Sequence, residues 1–136
     1  MMTILKKING INPSYKRKIV GIYPLIAIAI LSCFYFYDTS QISDRYLPRL
    51  ASASVIVIIL SYMHLSKTGW PRLLTLYYGV VVFVSLLMFV VTLLALLSGD
   101  VPGGYSYTLT WCVGSFISLL FHALLTYWCY WNTETD

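Results

Sequence analysis

Long apolar segments alternate with short polar ones along most of the chain. Each apolar segment has about 17 to 25 residues, and an α-helix needs roughly that length to cross the hydrocarbon core of a bilayer. The pattern predicts an all-α membrane protein: one polytopic domain over residues 1–136, built as a bundle of four transmembrane helices. The predicted spans are residues 19–37, 50–66, 73–97 and 109–131.

The last apolar segment also carries a regular stripe of polar and small residues. Six of them follow one another at steps of three or four residues, so they share one face of a helix. An average step of about 3.5 residues suits packing against a neighbouring helix at roughly 20°. We therefore interpret this stripe, called the polar seam below, as the face on which the other helices pack. Its members are Cys112, Ser115, Ser118, His122, Thr126 and Cys129.

Residues 1–18 form a basic segment before the first span. Its five cations are expected to lie at the negatively charged surface of the membrane. Ile4 and Ile8 recur at helical spacing, which predicts a short interfacial helix over residues 2–9; a disordered basic tail is the alternative. Asn12 and Pro13 are typical of the cap and first turn of a new helix. The five cations are Lys6, Lys7, Lys16, Arg17 and Lys18.

The distribution of Lys and Arg predicts the orientation of the spans. With a cytoplasmic N-terminus, the inner segments carry seven of these residues, five in the tail plus Lys67 and Arg72, and the outer loops carry Arg45 and Arg49. Cytoplasmic segments are normally the more basic ones, so both termini are expected in the cytoplasm. The layout resembles that of many small bacterial tetraspan proteins, which implies the inner (cytoplasmic) membrane of a bacterium.

The composition excludes an ordinary soluble domain. Hydrophobic residues make up 59% of the chain and charged residues 10%, whereas soluble domains have roughly 25% charged residues. The net charge of +4 lies largely in the tail, and no basic patch is interleaved with aromatic residues. Nucleic acid is therefore not an expected partner. The expected partners are membrane lipids and either another membrane protein or a second copy of this chain.

Two histidines are the first candidates for chemistry. His122 lies near the middle of its span, where an ionisable side chain is costly and is by default a functional candidate. A proton relay would need a second titratable group at that depth, yet no Asp, Glu, Lys or Arg lies within a predicted span. This favours a His122 that hydrogen-bonds Ser85 or Thr92 on a facing helix. His64, at the end of the second span, is interpreted as facing lipid headgroups, at a depth that does not suit a metal or haem shared with His122.

The three cysteines lack the spacing of a zinc or redox motif, and no cofactor is expected. Cys33 and Cys112 are predicted at a similar depth near the outer interface, so a disulfide between them is one alternative. Free, buried thiols are the interpretation that we favour.

Ser115 and Ser118 share a face of the helix with His122, and a serine and a histidine are the nucleophile and base of a serine hydrolase. No carboxylate and no nucleophile-elbow motif accompanies them, so the chain is not expected to be an enzyme. Gly114 and Ser118 instead form a small-xxx-small pair, which is typical of close helix packing.

Three functions are consistent with these patterns. The favoured one is a non-catalytic protein that binds another membrane protein through its helices, as an accessory subunit or an immunity or exclusion factor. The first alternative is a small oligomeric transporter or lipid flippase that uses the polar seam as a path. The second is a pore-forming or membrane-perturbing effector, which would need the polar seam to face a lumen.

Overall fold

The computed structural model describes residues 1–37 and 46–132, and the side chains of all of these except residues 5, 34–37, 46 and 132. Every regular element in these ranges is helical, so the all-α class is confirmed. The helices are α1 (Met2–Asn9), α2 (Pro13–Tyr37), α3 (Tyr46–Ser66), a 3₁₀ turn (Pro71–Leu73), α4 (Leu74–Ser98) and α5 (Tyr105–Asn132).

Three of these helices are long and apolar enough to cross a membrane. The corresponding stretches are Leu47–Ser66, Pro71–Ser98 and Tyr105–Trp131, and most of their side chains lie on the surface of the chain. A helix with an apolar surface on most sides needs lipid or another protein around it. The chain is therefore a membrane protein with three membrane-capable helices. The predicted first span, residues 19–37, lies in α2 and runs into the undescribed side chains, so a fourth span stays a prediction.

Helix α2 begins as its sequence predicts. The backbone N–H of Ser14 donates to Oδ1 of Asn12 over 3.0 Å, and Pro13 occupies the first helical position, where its missing N–H costs nothing. The preceding residues form α1, a helix over the range expected for the interfacial segment. Its location at a membrane surface stays a prediction.

Two short connections set where α4 and α5 begin. After α3, Lys67 adopts a left-handed conformation with φ of 57°, and the N–H of Thr68 donates to the Met63 carbonyl over 3.2 Å. This arrangement closes the C-terminus of a helix. Before α5, the Thr108 hydroxyl donates to the Pro102 carbonyl over 3.1 Å, which holds the loop against the first turn of the helix.

The described residues form two compact units. The first comprises Met1–Leu74 together with the end of α5, from Trp128 onward. Within it α2 packs on α3, and Gly21 of α2 lies directly against the side chain of Leu65. The second unit, Thr75–Tyr127, contains most of α4 and most of α5. That residues 1–136 act as one domain stays a prediction.

Candidate functional sites along the last helix

The polar seam lies within the buried face of α5. Four of its six members are buried, namely Cys112, Ser115, His122 and Cys129, and the other two, Ser118 and Thr126, are half-buried. The spacing thus finds four of the buried side chains of α5 and misses three others, Thr108, Leu125 and Trp128. Whether this face also carries a function stays a prediction.

In the second unit, three polar side chains of α4 and α5 form a chain of hydrogen bonds. Nδ1 of His122 lies 2.8 Å from the Ser118 carbonyl oxygen and 3.2 Å from Oγ of Ser118. Oγ of Ser118 in turn lies 3.0 Å from Oγ of Ser85, which joins α5 to α4. The histidine therefore reaches Ser85 through Ser118 rather than directly.

The Ser118 carbonyl oxygen determines which atom is the donor in each of these hydrogen bonds. A carbonyl can only accept, so Nδ1 of His122 carries the hydrogen and donates it. The same nitrogen cannot then remove the proton of Ser118, and that proton remains for Ser85. A carboxylate is also missing from this group, so the hydrogen bonds give Ser118 no general base at Nδ1. The arrangement satisfies buried polar atoms and links two helices.

The other hydroxyls near the polar seam bond to their own helices. Ser115 donates to the Trp111 carbonyl over 2.6 Å, and Thr126 donates to the His122 carbonyl over 2.7 Å. Thr92, expected as an alternative partner of His122, donates instead to the carbonyls of Met88 and Phe89. A helix can absorb a Ser or Thr hydroxyl in this way without a partner on another helix.

A second buried cluster lies in the first unit, around His64. This residue is only 1% exposed, so its interpretation as a headgroup-facing histidine is wrong. Its Nδ1 lies 3.4 Å from the Pro71 carbonyl oxygen and 3.8 Å from Sγ of Cys129. The turn after α3 and the end of α5 thus both contact the histidine, each at Nδ1.

Helical spacing could have revealed this cluster from the sequence. Val57, Ser61 and His64 are all buried on α3 and follow one another at steps of four and three residues. Sequence reasoning missed this stripe because the residues between its members are as apolar as a buried face: Ile58 and Ile59 are exposed and Leu60 is half-buried. The contact with Cys129, which is 65 residues away, could not be read from local spacing.

Neither cluster has the ligands of a metal site. Among the described residues, no three His, Cys, Asp or Glu side chains lie close enough to hold a metal ion. His64 and Cys129 offer two ligands, whereas a structural zinc site needs four. The cysteines Cys112 and Cys129 are buried and carry no disulfide in this structure, whereas Cys33 is exposed, so the expectation of a buried thiol is wrong for Cys33. A disulfide between Cys33 and Cys112 stays a prediction.

The second unit also contains an open groove of about 230 Å³. Its polar groups are few, and the hydroxyls of Thr92 and Thr108 are already used by backbone carbonyls. The groove therefore presents mainly carbon atoms to an occupant. Its lining is Met88, Val91, Thr92, Ala95, Pro102, Tyr107, Thr108 and Trp111.

The five cations of the N-terminal segment lie in different environments. Lys6, Lys7 and Lys18 are exposed, and Arg17 is half-buried. Lys16 is only 8% exposed. The tail thus has three cations that face outward, one half-buried arginine and one lysine that packs inside the first unit.

Comparisons with known proteins give no relative from which a function could be transferred. No protein-family model matches the chain, and neither a curated protein nor a solved structure is significantly similar to it.

Proposed function

We propose that this chain is a non-catalytic integral membrane protein that binds another membrane protein through its helices, as an accessory subunit or an immunity or exclusion factor. The observation that carries this proposal is the apolar groove in the second unit. An apolar cavity of about 150 Å³ already accepts a benzene ring. The groove, with 230 Å³, has room for one large apolar side chain projecting from a partner helix.

The chemistry of the groove favours such an occupant. Because Thr92 and Thr108 donate to backbone carbonyls, a polar solute would find few groups to replace its water. Aromatic side chains at the rim, from Tyr107 and Trp111, are among the residue types enriched at protein interfaces. An apolar side chain of a partner helix would bury its surface here at little cost.

The hydrogen bonds of the polar seam favour binding over transport. A transport path or pore needs polar groups that stay available to a solute or to water. Here Ser115 and Thr126 donate to their own helix, and Ser118 is used by Ser85 and His122. The hydroxyls of Ser115 and Thr126 are thus taken up within α5, and that of Ser118 joins α5 to α4.

We also propose four spans, with both termini in the cytoplasm of a bacterial cell and the spans in its inner membrane. This orientation is supported by the excess of Lys and Arg on the segments that it places inside. It places the groove, at the end of α4 and the beginning of α5, near the outer face of the membrane.

Photo-cross-linking from two positions of α4 tests the binding proposal. Benzoylphenylalanine would replace Val91, which lines the groove and is 61% exposed, or Val84, which lies two turns earlier on the same face and is 51% exposed. We expect a discrete adduct with a different membrane protein from position 91 and none from position 84. Ala95→Phe should remove the adduct by filling the groove, whereas Leu94→Phe, at an exposed neighbour outside the groove, should leave it.

Each other result would count against the proposal. Adducts with a second copy of this chain alone would indicate a homo-oligomer, and adducts with lipid alone would make the groove a lipid site. Loss of the adduct in His122→Leu, with folding intact, would assign the polar seam a function beyond packing. Persistence of the adduct in Ala95→Phe would remove the groove from the interface.

A further inference from the structure

The charge of the N-terminal region is of one sign. Residues 1–37 contain five Lys and Arg and no Asp or Glu. Lys6 and Lys7 of α1 and Lys18 of α2 point outward. Each Lys or Arg close to an anionic lipid surface contributes roughly 1 kcal/mol to binding. With no acid of the region to neutralise them, these cations fit an anionic surface.

Helix α1 also exposes apolar side chains beside its lysines. Met2 and Ile4 are exposed, although α1 is a regular helix outside the membrane-capable helices. An amphipathic helix with Lys on one side and apolar groups on the other lies in the membrane interface, with its apolar groups between the headgroups. The charge of α1 and its exposed apolar side chains therefore both indicate binding to an anionic membrane surface.

Lys16 differs from the other cations of the tail, because it holds α1 in place. Its Nζ donates to the Asn9 carbonyl, the last residue of α1, over 3.1 Å. The C-terminal carbonyls of a helix lack intrahelical partners and carry partial negative charge, so a lysine is stabilising there. The same Nζ lies 5.6 Å from the centre of the Trp128 ring, within range of a cation–π interaction. One side chain of α2 thus contacts both α1 and α5.

We propose that α1 docks on an anionic lipid surface through Lys6 and Lys7 and that Lys16 tethers the docked helix to α2 and α5. The two roles follow from burial. The exposed Lys6 and Lys7 bind lipid phosphate groups, and the buried Lys16 binds Asn9 and Trp128 of the protein itself. This proposal does not depend on the identity of a protein partner or on the groove.

Depth-dependent quenching tests the docking step with the full chain. A genetically encoded fluorescent amino acid would replace Ile4, and the protein would be reconstituted in vesicles that carry a doxyl-labelled lipid. We expect strong quenching in equimolar phosphatidylcholine and phosphatidylglycerol and weak quenching in phosphatidylcholine alone. Replacing both lysines, Lys6→Gln with Lys7→Gln, should lower the ratio of docked to free α1 about 30-fold.

The matched control removes two cations elsewhere, Lys67→Gln with Arg72→Gln, and should leave the quenching unchanged. Equal quenching in both lipid mixtures would show that apolar insertion suffices and would overturn the anionic-surface proposal. So would equal effects of the two double variants. A helix that is quenched in neither mixture would not be docked on lipid at all.

Hydrogen exchange tests the tether. In neutral detergent, Lys16→Met keeps most of the side-chain length and removes the charge-assisted hydrogen bond to Asn9. Such bonds contribute enough to slow local opening about tenfold or more, so the amides of α1 should exchange at least tenfold faster than in the wild type. Lys18→Met is the control and should exchange like the wild type. Unchanged exchange in Lys16→Met would show that Lys16 is not the tether.

Discussion

The direction of a single hydrogen bond fixes the role of His122. Because Nδ1 donates to the Ser118 carbonyl, Ser118 retains its own hydrogen and can donate it to Ser85. The helical spacing predicted that His122 and Ser118 share a face, and Ser85 or Thr92 was the expected partner of His122 on a facing helix. The spacing could not predict that Ser118 would lie between His122 and Ser85, because that depends on the rotation of α4 relative to α5 in the second unit.

A double-mutant cycle tests the contribution of this chain of hydrogen bonds. Hydrogen bonds between membrane helices contribute about 0.6 kcal/mol on average and at most about 1.7 kcal/mol. Ser85→Ala should lower the free energy of unfolding by about 0.6 kcal/mol. The single variant Ser118→Ala should lower it by more than Ser85→Ala does, because Ser118 also contacts His122. The double variant should lose less than the sum of the two, as measured by reversible unfolding in detergent with increasing dodecyl sulfate.

Ser52→Ala is the control for this cycle. Ser52 is exposed and donates to the Pro48 carbonyl of its own helix, so its replacement should change the free energy of unfolding by less than about 0.5 kcal/mol. Strict additivity of Ser85→Ala and Ser118→Ala would show that the two hydroxyls do not interact.

At the scale of helices, α2 and α3 approach each other closely at a glycine. Gly21 brings α2 so near to α3 that a Cβ at this position would collide with the side chain of Leu65. The sequence marked a different small residue, Gly114, as a packing position. Among the described residues, no atom of another element lies within 4 Å of a Cβ built at Gly114. Small residues allow close packing, but they do not say which of them a neighbouring helix uses.

Gly21→Val should therefore destabilise the first unit. Overpacking of a tight contact typically costs about 1–3 kcal/mol, and we expect the free energy of unfolding to fall by that amount. Leu65→Ala in the same chain should restore part of the loss by making room. The matched control is Gly79→Val, also within a helix but with nothing within 4 Å. An equal loss in both variants would attribute the effect to valine itself rather than to Leu65.

The apolar runs of the sequence predict that these helices exist, but they do not predict where the helices end. Helix α5 begins at Tyr105 and α3 at Tyr46, about one turn before the apolar segments that predict them. A hydropathy pattern reports the part of a helix that lies in hydrocarbon, whereas backbone hydrogen bonds continue into the interface, where Tyr and Trp are favoured. The buried stripe of α3 was missed for a related reason, since burial inside a protein and burial in lipid leave similar apolar patterns.

For the whole molecule, composition is sufficient to predict the membrane class, and the distribution of Lys and Arg is the main evidence for orientation.

Labelling with a membrane-impermeant maleimide tests that orientation. Asp100→Cys, in the exposed turn after α4, should be labelled in intact cells, because the predicted orientation places it outside. Thr68→Cys, in the exposed turn after α3, should be labelled only after permeabilisation.

Both variants are made in a Cys33→Ser chain, because the wild-type Cys33 thiol is exposed and could itself be labelled. The Cys33→Ser chain alone is the control, since Cys112 and Cys129 are buried and should react only after unfolding. The reverse pattern at Asp100→Cys and Thr68→Cys would invert the topology. Labelling of both variants from one side would mean that α4 does not cross the membrane.

The division of α5 between the two units has a consequence for biogenesis. The first 74 residues share a compact unit with the end of α5, so these partners leave the ribosome after residues 75–127. Residues 75–127 are synthesised in between, which takes roughly 3–10 s at ordinary elongation rates. During that interval Lys16 has no Trp128 beside it, and His64 has no Cys129. The nascent protein therefore holds a lysine and a histidine without their final neighbours, as a client for the insertion machinery, until α5 is released.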